Sequence, residues 1–465
     1  MEQGDLTAAF VEWMDKNNFR LNPNTELIKF ADERGHSLVA KSKIPKGKFL
    51  FEIPSALILG PKTSGIPLKS SASFTRLNSW NKLIVSLMWE DLNPKSPWRP
   101  YLDILPKTLN TPLFWDTKDL ELLAGTDVEA ELGADVIRND YDTNILPLIE
   151  ENRSIFSKAV DHFPSYKRFG SLVMAYSFTN LNDEVVMVPM ADMLNHKTGH
   201  NNARLFMSQG ESDEEETSTP HLTYQMKTVK MVPPSAELYN TYGNLGNSTL
   251  LRRYGYTDDI NNPFNTVGIS NALLRKHYAQ HPQIINRLDY LEKKDIYVKE
   301  EIFSVACANE NEDSDLECEN HMERLCFILR CLFCGDESWE GWKAALEEME
   351  KKKGDEDGFQ VEDIAMKYSK DKVSEELLSL LQVRLSLYPT TLEADLLQLN
   401  LKKDILQNAN IKPSKKRKIN QTQLQQADLP LNLKNALVAR ISEKNVLVNL
   451  INQLQSKPKP KKTKK

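Results

Sequence analysis

Glycine is scarce in this sequence, with 18 among 465 residues. Neither G-x-G-x-x-G nor G-x-x-x-x-G-K-[ST] occurs, and there is no G-x-S-x-G. Glycine-loop nucleotide enzymes and nucleophile-elbow hydrolases are therefore disfavoured. No apolar run approaches the roughly 18 residues needed to cross a bilayer. The acidic start Met1-Glu2-Gln3-Gly4-Asp5 lacks an apolar stretch, so no secretory signal is expected. Cysteine is also sparse. All five lie between Cys307 and Cys334, an odd number that points to reduced thiols in an intracellular compartment. What is present suits a soluble globular chain of two to three domains: 40% hydrophobic and 27% charged residues.

The formal net charge of −6 hides a partition. Lys412-Pro413-Ser414-Lys415-Lys416-Arg417-Lys418 and the run from Lys457 to Lys465 contain no acid and together hold +11, which leaves −17 for the rest. The basic blocks read as nuclear-import signals or nucleic-acid arms, or alternatively as solvated tails. The acidic body, with runs at Glu211 to Glu216 and Glu310 to Glu319, is repelled by phosphate and attracts basic proteins. A protein partner is expected, with no membrane and no nucleic acid bound by the body.

Short strands are expected at Glu26 to Phe30, Ser37 to Ala40 and Lys48 to Ile53, the last entered by the turn Pro45-Lys46-Gly47. From Ser55 to about Ser171 the spacing turns helical, with Trp80, Leu83, Ile84, Leu87 and Met88 on one face. Strands return at Val185 to Val188, Ala203 to Phe206 and Leu222 to Met231, interrupted by a polar acidic loop from Ser208 to Pro220 expected to be disordered. Beyond about Asn265 an all-helical region is expected. Thr390 with Glu393 forms a capping-box pattern there, and residues 434 to 454 make a last amphipathic segment.

His196 and His200 have the i, i+4 spacing of zinc ligands, but Gly199 lies between them and no Glu follows His196, so the metalloprotease pattern fails. Cys331 and Cys334 form a C-x-x-C with no clear second pair, in an apolar run that suits buried thiols. No metal is expected. The informative stretches are Val188 to His196 with Asn201-Asn202-Ala203, Leu238 to Asn244, and Leu250 to Tyr256. Each alone is a weak sign. Together they put polar groups and three tyrosines on short loops between strands, apolar in its walls and hydroxylated at its tips.

At these residues the sequence resembles the SET-domain methyltransferases of the Rubisco large-subunit methyltransferase type. Matches continue through Gly35-His36-Ser37-Leu38-Val39-Ala40, Ile44-Pro45-Lys46-Gly47, Phe51-Glu52-Ile53-Pro54, Ser96 to Leu102, Leu123 to Thr126, Tyr388 to Glu393, and Arg440 to Lys444. Val173 to Phe178 and Val188 to His196 are closest to the branch holding the nuclear RelA-lysine and ribosomal lysine methyltransferases. The resemblance implies an α+β fold: a SET β-fold with a pseudoknot, split by a helical insert and followed by an all-helical substrate-binding lobe. The implied segments are 20–57 and 173–260 for the core, 58–172 for the insert, 261–455 for the lobe and 456–465 for a basic tail.

It also implies methyl transfer from S-adenosylmethionine to a protein lysine, with the catalytic hydroxyl on Tyr242. His36, Ser37, Leu38, Asn195, His196 and Tyr242 would hold the cofactor. Tyr176, Tyr254 and Tyr256 would line the lysine channel, although Tyr176 stands where several relatives carry Arg. Ser37 replaces a family glycine. Asp192 is read as structural or ribose-side rather than as a base. A hydroxyl at Tyr256 favours monomethylation. The implied substrate is a ribosomal protein, and the chain is expected to be a nuclear monomer, also present in the cytoplasm. Three alternatives stay open: histidine methylation, a vestigial core acting as a binding module, and an RNA- or ribosome-associated factor.

Overall fold

The computed structural model describes residues 3–32, 34–157, 159–209, 222–307, 316–352, 373–399 and 429–456. Both basic segments lie outside the described residues, as do 210–220 of the acidic loop and 310–315 of the second acidic run. The chain forms two compact units: Met1–Phe114, Leu132–Leu245 and Arg252–Gly255 in the first, and Trp115–Glu131, Gly246–Leu251 and Tyr256–Lys465 in the second.

The first unit is built on short antiparallel strands. They are β1 (Arg20–Leu21), β2 (Thr25–Lys29), β3 (His36–Ala40), β4 (Phe49–Pro54), β5 (Ser177–Thr179), β6 (Val185–Met187), β7 (Ala203–Gln209) and β8 (Leu222–Thr228). One sheet has the order β1-β4-β8-β7, while β2 pairs with β3 and β5 with β6. Glu52 lies opposite Gln225 and Ile53 opposite Tyr224, so strands far apart in sequence share one ladder. Between them the chain is mainly helical. The helix Ser79–Leu92 starts where the Asn78 side chain accepts from the Asn81 amide at 2.7 Å. Its Leu83, Ile84, Leu87 and Met88 are buried together, as their spacing predicts, while Trp80 is only partly buried.

An N-terminal helix, Gln3–Lys16, was not expected. Phe10 and Met14, four residues apart, are fully buried on its inner face. Phe10 packs against Tyr101, ring centroids 6.2 Å apart.

The second unit differs from its expected all-helical form. β9 (Val267–Ser270) and β10 (Ile302–Val305) pair antiparallel, Val267 opposite Val305. Val267, Ile269, Phe303 and Val305 are all fully buried, and their β-branched and aromatic side chains suit a covered strand pair. The cap before Leu396 is shifted by one residue. Thr391 accepts from the Ala394 amide at 3.2 Å, while Thr390 donates to Asp395 at 2.7 Å.

The last helix, Leu431–Ser456, is not simply amphipathic. Every residue from Asn435 to Lys444 is buried. Its polar residues are absorbed by ion pairs: Arg440 and Lys444 both reach Asp395, at 2.8 and 2.6 Å. Among the described residues no helix is long and apolar enough to cross a membrane.

Candidate active site

Two segments of the first unit cross beside each other. His196 bridges Asn240 in parallel, and the Asn240 amide donates to the Asn195 carbonyl at 3.0 Å. The crossing positions Tyr242 from three sides. Its amide donates to His196 Nδ1 at 3.1 Å, and its hydroxyl donates to the Leu194 carbonyl at 3.1 Å. Its ring lies between His196, stacked at 5.2 Å, and Tyr254, stacked at 4.6 Å. Gly243 follows with φ +107°, a conformation that L side chains rarely adopt. Tyr254 is followed by Gly255, where a Cβ would sit 2.7 Å from the Asn110 backbone. No larger residue lets these backbones approach so closely.

Asn195 donates from Nδ2 to Glu237 Oε1 at 2.8 Å and, at 3.5 Å, to the His36 carbonyl. That second contact joins the crossing to β3. His36 is held on its other side by Thr7 of the N-terminal helix, 3.0 Å from Nε2. Burial, with Lys29 nearby, lowers the His36 pKa to about 4, so its ring is neutral at pH 7. Ser37 and Leu38 lie opposite Ile28 and Leu27. The Ser37 hydroxyl is fully buried without a hydrogen-bond partner, so only its backbone is available to a ligand.

Tyr176 ends the helix Phe163–Tyr176. Burial, then the charge of Asp192, pushes its pKa up to about 12. Tyr101 donates to Asp192 Oδ2 at 2.5 Å, whereas Asp192 Oδ1 is buried without a hydrogen-bond partner. Met190, two residues before, is buried at φ +75°, a strained backbone of the kind found at functional sites. These contacts bring together His36, Asn195, His196, Tyr242 and Tyr254 in the first unit, with Ser37 and Leu38 following His36 on β3 and Tyr176 beside Asp192. Tyr256 belongs to the second unit.

Sequence reasoning missed Glu237, Arg34 and Tyr101. Alternation along Ala236-Glu237-Leu238-Tyr239 places Glu237 and Tyr239 on one side of an extended segment, but does not say whether that side faces inward.

Burial raises the Asp192 pKa to about 8. A carboxyl whose pKa is higher folded than unfolded stabilises the fold while protonated. That contribution is complete at low pH and is lost as pH rises through about 8. Between pH 5 and 8 it amounts to at most about 1.4 kcal/mol per pH unit. Asp192→Asn is therefore expected to flatten the fall in unfolding midpoint between pH 6 and 8.5. Parallel curves for variant and wild type would show that Asp192 stays ionised.

Among the described residues the donors that a metal ion would need are not assembled. His196 Nδ1 is occupied by Tyr242, and His200 Nδ1 approaches the Thr198 carbonyl at 2.8 Å. Burial pushes the thiols of Cys307, Cys331 and Cys334 up, away from the thiolate that binds metal. Among the described residues no group of His, Cys, Asp and Glu is arranged to hold an ion.

No protein-family model matches the chain. Curated relatives do. N-lysine methyltransferase SETD6 of Mus musculus is 30% identical over 330 residues, covering 66% of this chain and 67% of the relative. The chain belongs to the SET-domain N-lysine methyltransferases. The Xenopus laevis member is 29% identical over 349 residues, 70% of this chain and 68% of its own. Solved structures extend the fold over almost all of the sequence. The SET domain of LSMT bound to lysine and AdoHcy aligns with TM-score 0.69 at 18% identity, covering 98% of this chain and 92% of that one. Rubisco LSMT bound to AdoMet aligns with TM-score 0.66, covering 97% and 92%.

S-adenosylmethionine is the cofactor of this methyltransferase family, and the donor set fits it. The cofactor has no phosphate, and the site has no glycine-rich phosphate loop. The Asn195 amide nitrogen is committed to protein acceptors, so its oxygen is turned away from them, as an amino-bearing ligand requires.

Proposed function

We propose that this protein-lysine N-methyltransferase adds a single methyl group to a lysine of a basic protein, with a large-subunit ribosomal protein as the substrate. The geometry around Tyr242 carries the reading. A phenol hydroxyl fixed by the Leu194 carbonyl, with its ring between His196 and Tyr254, suits orientation of an amine for in-line attack. S-adenosylmethionine supplies the electrophilic methyl group when bound.

The remaining work falls to the protein. Free lysine has a pKa near about 10.4, so only roughly one amine in a thousand is neutral at pH 7. Tyr176 and Tyr254 provide a desolvated surface that favours the neutral form. Burial also raises the Tyr254 pKa, so its hydroxyl stays protonated and can hydrogen-bond an amine. Asn195, His196 and the backbone of residues 36–38 would hold the cofactor. The Tyr254 hydroxyl leaves a polar group where methyl groups would otherwise accumulate, which supports monomethylation. The −17 carried outside the two basic segments supports a basic substrate.

The test is incubation of the full chain with labelled S-adenosylmethionine and ribosomal extract, followed by mass spectrometry. Monomethyl-lysine on a ribosomal protein is expected. Label on histidine, or cofactor binding with no protein labelled, would refute the reading.

We further propose nuclear residence driven by the two basic segments. Deleting 412–418 and 457–465 together is expected to move a tagged protein towards the cytoplasm while activity in vitro is kept. An unchanged nuclear signal would remove the import role.

A further inference from the structure

We propose that Glu237 is a positioning residue for methyl transfer, clamped by Arg34 and Tyr239 so that it orients the Asn195 amide towards the cofactor. The inference rests on the reading of Asn195 as a cofactor-binding residue. Glu237 is 8% exposed, and both its carboxylate oxygens are used. Oε1 accepts from Asn195 Nδ2 at 2.8 Å. Oε2 accepts from the Tyr239 hydroxyl at 2.8 Å and from Arg34 Nη1 at 3.1 Å.

A carboxylate can only accept, so the nitrogen end of the Asn195 amide must face it. The same nitrogen donates towards the His36 carbonyl. Asn195 Oδ1 is thereby presented as an acceptor in the opposite direction. The groups it can select are the amino groups of S-adenosylmethionine: the adenine amine or the α-ammonium. With an apolar residue at 237 the amide is free to turn over and present its own donors to those groups, which is repulsive.

The clamp is anchored at several points. Asn202 Nδ2 donates to the Glu237 carbonyl at 3.0 Å, and Asn202 Oδ1 accepts from the Tyr239 amide at 2.9 Å. The Leu238 amide donates to the Leu38 carbonyl at 2.8 Å, which ties the segment to β3. Arg34 sits 3.6 Å over the Phe30 ring and pairs with Asp32 at 2.7 Å. It therefore reaches Glu237 from a turn that is itself braced, and sets its charge against the carboxylate.

The experiment uses the full chain. S-adenosylhomocysteine affinity is measured by calorimetry, and kcat and KM for S-adenosylmethionine by label transfer, in wild type, Asn195→Ala, Glu237→Leu, Glu237→Gln and the double variant Asn195→Ala/Glu237→Gln. Glu237→Leu is expected to weaken cofactor affinity and raise KM about tenfold or more, with kcat at saturation changed less than about threefold. Glu237→Gln keeps an acceptor oxygen and is expected to fall in between. In the Asn195→Ala background it is expected to have no further effect, because the group it orients is gone.

A purely structural role would lower the unfolding midpoint and kcat in every background instead. If Glu237→Leu does not fold, the Glu237→Gln comparison in the two backgrounds decides alone. Loss of affinity in Asn195→Ala with normal affinity in both Glu237 variants overturns the positioning role and leaves the cofactor site standing. Wild type that fails to bind S-adenosylhomocysteine overturns the cofactor reading and the proposal with it.

Discussion

Tyr242→Phe is expected to lower kcat by on the order of 10² or more while S-adenosylhomocysteine still binds within a few-fold of wild type. The magnitude is that of losing one preorganised hydrogen-bonding group at a reacting centre. The substitution is informative because it is so local. Phenylalanine keeps the ring, and the ring makes the stacking contacts with His196 at 5.2 Å and Tyr254 at 4.6 Å. The amide contact to His196 Nδ1 belongs to the backbone and survives as well. Only the hydroxyl and its bond to the Leu194 carbonyl are removed. Ground-state binding of the cofactor product should therefore persist, while alignment of the amine is lost. Single-turnover label transfer at saturating S-adenosylmethionine measures the step directly. A kcat within about fivefold of wild type would place the orienting hydroxyl elsewhere, with Tyr254 the next residue to test.

Legibility from sequence was uneven, and the physical reasons differ by region. The strands were visible because half-buried strands alternate apolar and polar residues. β2, β3, β4 and β6 fall within one or two residues of expectation. The Asn195-His196 and Tyr242-Gly243 stretches were visible as turn residues set against apolar runs. That they cross was not, since a parallel bridge between His196 and Asn240 joins segments 44 residues apart and leaves no local pattern.

Glu237 was hidden for a different reason. A glutamate between apolar neighbours reads as the solvent side of a strand, and only the partners Arg34, Tyr239 and Asn195 show that it faces inward. The same misreading applies to Arg440, Glu443 and Lys444. On a helical wheel they mark an outer face, yet Glu443 and Lys444 are fully buried and Arg440 is 5% exposed. The resemblance of Arg440 to Lys444 to the family lobe was noticed as a motif, without the reason that the structure supplies. These charges are the polar interior of the second unit.

That interior sets the second large expectation: Arg384→Met should destabilise the second unit by about 3–5 kcal/mol, the usual effect of removing one partner from a buried ionic cluster. Arg384 donates from Nε to the Gly268 carbonyl at 2.9 Å and from Nη1 to the Gly125 carbonyl at 2.8 Å. Its Nη2 reaches Asp127 at 2.9 Å and Glu443 at 3.3 Å. Methionine fills much of the stem volume but leaves two carbonyls and two carboxylates without their donor. Glu443 keeps the Ser248 and Tyr388 hydroxyls, each 2.5 Å away, so the unit loses its counter-charge rather than every hydrogen bond.

Burial and the charge of Asp127 already push the Glu443 pKa up, and Arg384 opposes them. Without Arg384 the shift grows in the same direction. A carboxyl with a raised folded pKa stabilises the fold when protonated and ceases to do so as pH rises through that value. The variant's deficit should therefore be larger at pH 9 than at pH 6. Arg384→Met/Glu443→Gln, which removes both charges, should regain part of the loss and weaken that pH dependence. Urea unfolding followed by circular dichroism at the two pH values measures both effects. A deficit below about 1 kcal/mol, or one equal at pH 6 and pH 9, would mean that Glu443 and Asp127 are hydrated in solution and that the cluster is not the ionic core of this unit.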